Sequence, residues 1–376
     1  MGASVAPHRR HQPSRSRGHR NPCRKRPAGC RRRGDGDCRV SDHIDIDHDR
    51  FESLGAITDR IVGRRGERDW NGQPISEPGI YRKIPMDAYH AQLTEGPSIS
   101  SSGLREIENR SPMHYWATSY LNPDRPEEET SASLDFGRAV HTLLLSEDGF
   151  RDDYVVRPET YEDDAGKWKP WSGNANVCKE WLAARRAEGK TVLLKSQLTD
   201  IHGMADRLAK NHVAVDLLRG RIERSIITKD TKTGVWVKSR PDSIPRDTII
   251  ADLKTCADAS QVAISRSIIN YGYLQQMALA ITCLEEVGQR QVNEAVLLFV
   301  ETSYPYAFNI KPLDNGDIHT AMRQNRRALN VFADCLKAND WPTYADNTLT
   351  WSAPKWWCDR HEHDSTLPEL QKDRAA

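Results

Sequence analysis

The sequence predicts an α/β protein, a small mixed sheet flanked by helices with a helical attachment ahead of it. Three observations lead there. Helical patterns dominate up to Leu218, three short strand patterns follow within residues 222–255, and a helix, an apolar strand and a long helix complete the order. The run Asp230-Thr231-Lys232-Thr233-Gly234, between the first two strand patterns, has the composition of a hairpin turn. At 376 residues the chain has room for one large domain or two smaller ones around a full-sized core.

Composition excludes several classes. Charged residues make up 28% of the chain and mean hydropathy is −0.71. No apolar run approaches the roughly 18 residues needed to cross a bilayer, and the basic start lacks the apolar segment of a secretory signal. The eight cysteines are thinly spread, with neither a disulfide framework nor a close zinc pair, so a reducing, cytoplasmic setting is expected. Residues 1–39 hold twelve Lys or Arg against Asp35 and Asp37, about +10, so the net charge of +1 leaves about −9 for the remainder. This Pro- and Arg-rich stretch reads as disordered. It is either a nonspecific nucleic-acid-binding arm or an extension outside the native chain. Asp42, Asp45, Asp47 and Asp49, alternating with His43, Ile44, Ile46 and His48, read as a solvated linker rather than a metal site. The expected organisation is therefore an extension over 1–79, a functional domain over 80–345, and an aromatic segment with a charged tail over 346–376.

The elements follow in order. Order is expected from about Ile80 or Met86. Ser98 to Ser102 offer N-caps for a short helix through Leu104 and Ile107 that stops before Ser111-Pro112. His114, Tyr115, Trp116 and Tyr120 continue it as core aromatics. Ser133 to Leu145 forms a helix with Phe136, Val140, Leu143 and Leu144 on one face and His141 inside it. A loop with Trp168 and Trp171 occupies 157–175. Helices follow over 177–186 and 196–218, the latter broken by Gly220. Strands are expected at Ile222 to Thr228, Val235 to Arg240 and Thr248 to Thr255. Asp258 or Ser260 caps a helix that breaks near Gly272 and runs to about Val287. Ala295 to Glu301 is an apolar strand, Asp314 to Asn339 a long helix, and the remainder irregular aromatic packing.

Arg240-Pro241-Asp242, followed ten residues later by Asp252-Leu253-Lys254-Thr255, carries the most chemistry. In a strand, Asp252 and Lys254 leave the same face. Charges on a mostly buried strand must be paired, hydrated or liganded, because burying an unpaired charge is expensive. Asp242 and Asp252 offer the hard oxygen donors that Mg²⁺ prefers. Lys254 would orient or deprotonate a water, or neutralise charge on phosphorus. Glu223, at the start of the first strand, is either a further acid or a surface residue. Lys238 and Arg240 share a strand face as phosphate contacts or as a solvated edge. His141 is either a helix-packing histidine or a site residue, and Gln276, with Tyr271 and Tyr273, either packs or holds a nucleotide.

In this ordered set the chain resembles the PD-(D/E)XK nuclease superfamily, and within it the phage-type exonuclease VIII (RecE-like) family. The matching pieces are Ser98 to Leu104, Ser111 to Tyr115, Phe136 to Leu145, Glu223 to Ser225, Lys238 to Asp242, Asp252 to Thr255 and Tyr271 to Gln276, spanning about residues 86 to 345. The resemblance implies a restriction-endonuclease-like core. It places His141, Asp242 and Asp252 at a metal, with Lys254 as catalytic lysine, Glu223 as the acid of the preceding motif and Gln276 as the helix glutamine. Lys238, Arg240 and Tyr273 are the expected DNA contacts. It implies a homo-oligomeric ring in a bacterial or phage-infected cell, no membrane, and Mg²⁺- or Mn²⁺-dependent 5′ to 3′ digestion of one strand of linear double-stranded DNA. A single-strand annealing protein would receive the 3′ overhang. Many relatives carry a tyrosine four residues after the glutamine; here Ala280 stands there, and Tyr273 is the candidate substitute. Cys256, Cys283, Cys335 and Cys358 lack the clustering of an iron–sulfur nuclease. The alternatives are a repair or phage-defence nuclease of different polarity, and a catalytically silent DNA-binding protein of the same fold.

Overall fold

The computed structural model describes residues 66–126, 131–145, 150–288, 290–344 and 350–361. The first expected segment, 1–65 of the extension, and the tail beyond 361 lie outside these residues. The elements in chain order are β1 (Glu67–Asp69), β2 (Gly79–Arg82), α1 (Met86–His90), β3 (Ser98–Ser100), α2 (Ser101–Asn109), α3 (Pro112–Thr118), α4 (Ala132–Leu145), α5 (Phe150–Asp153), β4 (Tyr154–Val156), β5 (Thr160–Glu162) and β6 (Trp168–Pro170). They continue with α6 (Asn176–Ala187), β7 (Thr191–Leu193), α7 (Lys195–Ala209), α8 (His212–Leu217), β8 (Arg221–Ile222), β9 (Ser225–Lys229), β10 (Trp236–Ser239), β11 (Ser243–Arg246) and β12 (Ile249–Cys256). The last are α9 (Gln261–Asn270), α10 (Tyr273–Gly288), β13 (Glu294–Glu301), β14 (Phe308–Pro312), α11 (Asn315–Ala338) and α12 (Lys355–His361).

Two five-stranded sheets organise the described residues, in the orders β14-β13-β12-β11-β8 and β1-β2-β9-β10-β3. The first sheet carries the chemistry. β12 and β13 run parallel over eight residue pairs, Ile249↔Glu294 to Cys256↔Glu301. Both are covered on both faces, so β13 is apolar from Ala295 to Val300, while β12 interrupts Ile250, Ala251 and Leu253 with the charged Asp252 and Lys254. One face packs on α10 and α11 through Met277, Ile281, Leu297, Phe299, Ala328 and Phe332. The other packs on α4 and α7 through Val140, Leu145, Ile201, Met204, Leu253 and Leu298. α4 approaches β12 at Gly137, where a Cβ would make ordinary contact with Thr255 Oγ1 at 3.5 Å. That approach delivers His141, one turn further on, to the sheet.

The long helix begins and ends where capping chemistry places it. Asp314 accepts from the backbone N–H groups of Gly316 (2.7 Å) and Asp317 (3.3 Å), and Asn339 closes the C-terminus in the left-handed region at φ 50°. Ser260 caps α9 and Gly272, at φ +61°, separates α9 from α10.

Four expectations differ from what is observed. The anticipated strand 222–228 is two strands: β8 pairs with β11, and β9 pairs with β2 and β10, so the chain changes sheet at Glu223-Arg224. Glu223 adopts φ 50°, which no strand residue can, and its N–H donates to Asp242 O at 3.0 Å. Ordered structure starts ahead of residue 80, because β1 pairs in parallel with β2. The 157–175 segment contains the β5–β6 hairpin. In the C-terminal region only part of the aromatic set packs: Trp341 is buried, whereas Trp351 and Trp356 are exposed and Lys355 to His361 is helical.

Candidate active site

The site is assembled by the β11–β12 hairpin, which brings residues ten apart in sequence side by side. Asp242 enters β11 and Asp252 lies in mid-β12, where Ser243↔Ala251 are paired. Asp242 Oδ2 accepts the backbone N–H of Leu253 at 2.6 Å, which pins the carboxylate to the strand that carries the second acid. Asp252 and Lys254 leave the same face of β12, as the period of two requires, and form an ion pair. Gln276, in the first turn of α10, closes the constellation: its Nε2 donates to Asp252 Oδ1 at 3.1 Å, and its Oε1 accepts from Lys254 Nζ at 3.1 Å. The Tyr273 ring lies under the same ammonium, 4.6 Å away. It comes from the same first turn of α10 as Gln276, three residues before it, whereas Ala280 lies four residues after it and is buried. His141 reaches in from α4 with Nδ1 3.4 Å from Asp242 Oδ2.

These groups are buried and electrostatically interdependent. Burial opposes ionisation of Asp242, but His141, Lys254 and the Leu253 N–H outweigh it and hold the carboxyl below its ordinary value. Asp252, only 1% exposed, is pushed up by burial and by the Asp242 charge, more than Lys254 can offset. Lys254 is raised because the two carboxylates overcome its own burial penalty. His141 is likewise raised, its burial outweighed by Asp242. Glu223, raised by burial and by Asp242, completes the acidic corner. Two neighbouring carboxyls driven in opposite directions are a pattern of sites that handle protons.

Among the described residues, no group of three or more His, Cys, Asp or Glu side chains is disposed to hold a metal ion by itself. The donor set nonetheless fits a hard dication. Mg²⁺ commonly takes one or two protein carboxylates and completes its shell with water and substrate phosphate. Asp252 Oδ2 is buried and, although it touches the lysine ammonium, receives no well-angled hydrogen bond.

All of these residues border one open cleft of about 1440 Å³. Its walls also include Ser100, Ser101 and Ser102, Arg125, Arg138 and Tyr271. The three serines stand at the N-terminus of α2, with Ser100 Oγ and Ser102 Oγ 2.9 Å apart. Hydroxyls at a helix N-terminus suit an anion. Sequence reasoning gave these serines a capping role alone. Arg138, three residues before His141, was legible as sharing its helix face.

The expected DNA contacts separate. Tyr273 and Arg240 border the cleft. Arg240 is otherwise committed: Nε donates to Ser225 Oγ (2.8 Å), Nη2 to Ile84 O (2.9 Å), and the guanidinium lies 4.4 Å over the Tyr89 ring. Lys238 is a correction. It is 3% exposed, its ammonium donates to Tyr89 O (2.5 Å) and Ala91 O (3.4 Å), and burial lowers its pKa to about 8. A lysine so enclosed braces α1 and is out of reach of a phosphate.

A covered parallel strand pair, a hairpin bearing Asp-x₉-Asp-x-Lys and a helix returning a glutamine define the restriction-endonuclease-like PD-(D/E)XK core. Residues 100–351 match the model of the PDDEXK-like domain of unknown function (DUF3799), and the chain belongs to that family. A search of curated proteins finds no match. Among solved structures, the chain is similar to a provisionally named exonuclease from Eubacterium rectale, with 13% identity over 75% of this chain and 99% of that one and a TM-score of 0.47. It is also similar to a phage-related exonuclease from Haemophilus somnus 129PT (12% identity, 48% and 88% coverage, TM-score 0.26) and an alkaline exonuclease from Laribacter hongkongensis (16%, 45% and 87%, 0.19).

Proposed function

We propose that the chain is a Mg²⁺-dependent exodeoxyribonuclease of the RecE-like kind, hydrolysing linear double-stranded DNA from its 5′ ends and leaving 3′ overhangs for recombination. Mn²⁺ would substitute, a homo-oligomeric ring is the expected assembly, and a single-strand annealing protein is the expected recipient of the product. The observation that carries the reading is the convergence of Asp242, Asp252, Lys254 and Gln276 on one wall of the cleft. Hydroxyl and guanidinium groups at Ser100, Ser102, Arg125 and Arg138 line the same cleft and suit a phosphodiester backbone.

Asp242 and Asp252 are the residues that would hold the dication, with His141 behind Asp242. A bound dication polarises phosphate and supplies hydroxide at neutral pH. The protein's own groups do the rest. The Leu253 N–H and His141 keep Asp242 ionised. Gln276 fixes Asp252 and Lys254 in one geometry, so the ammonium is presented to the reacting phosphate without a search over rotamers. Lys254 neutralises charge as it develops on the phosphoryl oxygens. Glu223 adds acidity next to Asp242. Hydrolysis is a single displacement by water.

The test uses linear duplexes labelled separately at the 5′ and 3′ termini, incubated with the purified full chain and Mg²⁺, with a chelated control. Early release of the 5′ label supports the proposal. Early release of the 3′ label reassigns the protein to a repair or defence nuclease of opposite polarity. Binding without hydrolysis under both Mg²⁺ and Mn²⁺ identifies a silent DNA-binding protein and ends the catalytic reading.

A further inference from the structure

Glu223 sits where the chain passes from the first sheet to the second, and a buried ion-pair cluster lies at that joint. Ile222 is the last residue of β8 and Ser225 the first of β9, so Glu223 and Arg224 make this crossing, and Arg240 to Asp242 make the return crossing from β10 to β11. Glu223 takes a left-handed conformation, φ 50°, and donates its N–H to Asp242 O at 3.0 Å. Non-glycine residues in that region persist only where the surroundings over-determine them. The neighbour Arg224 supplies one constraint, donating Nη1 to Ile222 O at 2.6 Å and so bridging back over the bend.

The second constraint comes from far away in sequence. Arg224 Nε donates to Glu67 Oε2 at 2.8 Å. The Glu67 side chain is 2% exposed and has Arg82 Nε at 3.7 Å and Arg221 Nε at 3.8 Å. It therefore faces one arginine from each side of the joint, Arg221 on β8 and Arg224 after it, and a third from β2. Arg221 is held in turn by Asp247 at 2.7 Å. One buried carboxylate thus ties both sheets together next to Arg224, the neighbour of Glu223. Glu67 lies on β1, outside residues 100–351 that match the family and ahead of every piece that carries the resemblance.

Resting on the nuclease reading, we propose that Glu67 is a positioning residue of the active site: through Arg224 and Arg221 it clamps the sheet joint and so sets where Glu223 and Asp242 stand in the cleft. Glu67 touches neither substrate nor reacting atoms. Its effect is transmitted by the Arg224–Ile222 bridge and the Glu223–Asp242 backbone bond.

The experiment compares full-length wild type, Glu67→Gln and Arg224→Lys. Turnover on linear duplex with Mg²⁺ and amide hydrogen exchange of the 221–225 segment are read side by side. For Glu67→Gln the expected result is kcat lowered about tenfold with KM for duplex unchanged, and exchange over 221–225 accelerated at least tenfold while β12 peptides keep wild-type protection. A residue that served overall folding alone would accelerate exchange in both segments. Arg224→Lys keeps the charge beside Glu67 but loses the fork, and shows the same two changes at about threefold. Should Glu67→Gln fail to fold, Arg224→Lys decides. Turnover within 1.5-fold of wild type, or unaltered exchange at 221–225, in the deciding variant overturns the clamp. Absence of hydrolysis in the wild type would sink the nuclease reading instead, and the exchange measurement would still judge the clamp.

Discussion

Removing the Lys254 ammonium, as in Lys254→Met, separates the electrostatic cost of the site from its chemistry. Asp252 is 1% exposed and Lys254 15%, and Asp242 lies in the same buried group. Without the lysine, Asp252 keeps one hydrogen bond, from Gln276, and faces a like charge. Breaking a buried pair by deleting one partner costs about 3–5 kcal/mol. We take the lower end, about 3 kcal/mol, because His141 stays within reach of both acids. For domains above about 150 residues that is a fall in Tm of roughly 6–12 °C. The loss depends on pH with a definite sign. The folded-state pKa of Asp252 is already raised, so between the ordinary carboxylate value and that raised value the folded form holds a proton that the unfolded form has released. The deficit of Lys254→Met therefore shrinks as pH falls through the raised value toward the ordinary carboxylate range. Adding Asp252→Asn removes the stranded charge and should recover at least about 2 kcal/mol, while turnover stays at least about 100-fold below wild type. Urea unfolding in chelator at pH 8 and pH 5, beside nuclease assays on all four proteins of the cycle, measures this. Stability effects that add within about 0.5 kcal/mol, with no pH dependence of the deficit, would refute the argument.

Other outcomes follow from the same geometry. Gln276→Leu removes both bridging hydrogen bonds and is expected to lower kcat about tenfold or more, at about 1–2 kcal/mol of stability, read by steady-state kinetics and urea melts. Asp230 accepts from Thr233 and from Arg326 Nη2 at 2.7 Å; although burial pushes its pKa up, these contacts lower it to about 2. The stability it contributes is present above its ordinary value near 3.8 and lost as pH falls through about 2. Asp230→Asn should then cost about 1 kcal/mol at pH 6, discounted for the partial exposure of Arg326, and nothing near pH 2. A chain lacking residues 1–65 should match wild-type turnover on duplex at moderate salt. Deletion through residue 79 also removes β1 and Glu67 and should lower turnover at least tenfold; equal activity of the two truncations would contradict the role given to β1.

The acids and the lysine were legible because each depends on local periodicity or short-range pairing, whereas the place of Gln276 in the site came from the family resemblance alone, its partners lying 22 and 24 residues earlier. Asp252 and Lys254 share a face by the strand period, and a ten-residue offset is what a short hairpin needs to return Asp242 beside them. Asp314 and Asn339 bounded α11 by capping chemistry alone. What escaped was long-range. Val-free Arg221-Ile222-Glu223-Arg224 reads as a strand start, and nothing nearby signals a change of sheet there, because the cause is Glu67 more than 150 positions away in the chain. Lys238 looked like a phosphate ligand for the same reason. Its alternation with Arg240 was correct, but the carbonyls of Tyr89 and Ala91 that fill its ammonium come from α1, which no local pattern connects to β10.

The opposite displacement of the two acids gives them different tasks. Asp242 is kept ionised by a backbone N–H, an imidazole and an ammonium, so it is the permanent negative charge of the site. Asp252 is the stressed group, raised by its burial and by its neighbour, and its charge depends on Lys254 staying in place. Lys254 in turn depends on Gln276 and Tyr273 from a single helical turn of α10. The lysine that the proposed reaction needs at the phosphate is thus also the group that keeps Asp252 charged. Any motion that withdrew Lys254 from Asp252 toward substrate would have to be compensated by positive charge arriving at the carboxylates, which links occupancy of the acids to availability of the lysine. That coupling is why a fold would retain a costly buried acid–lysine pair where a leucine and a methionine would pack as well.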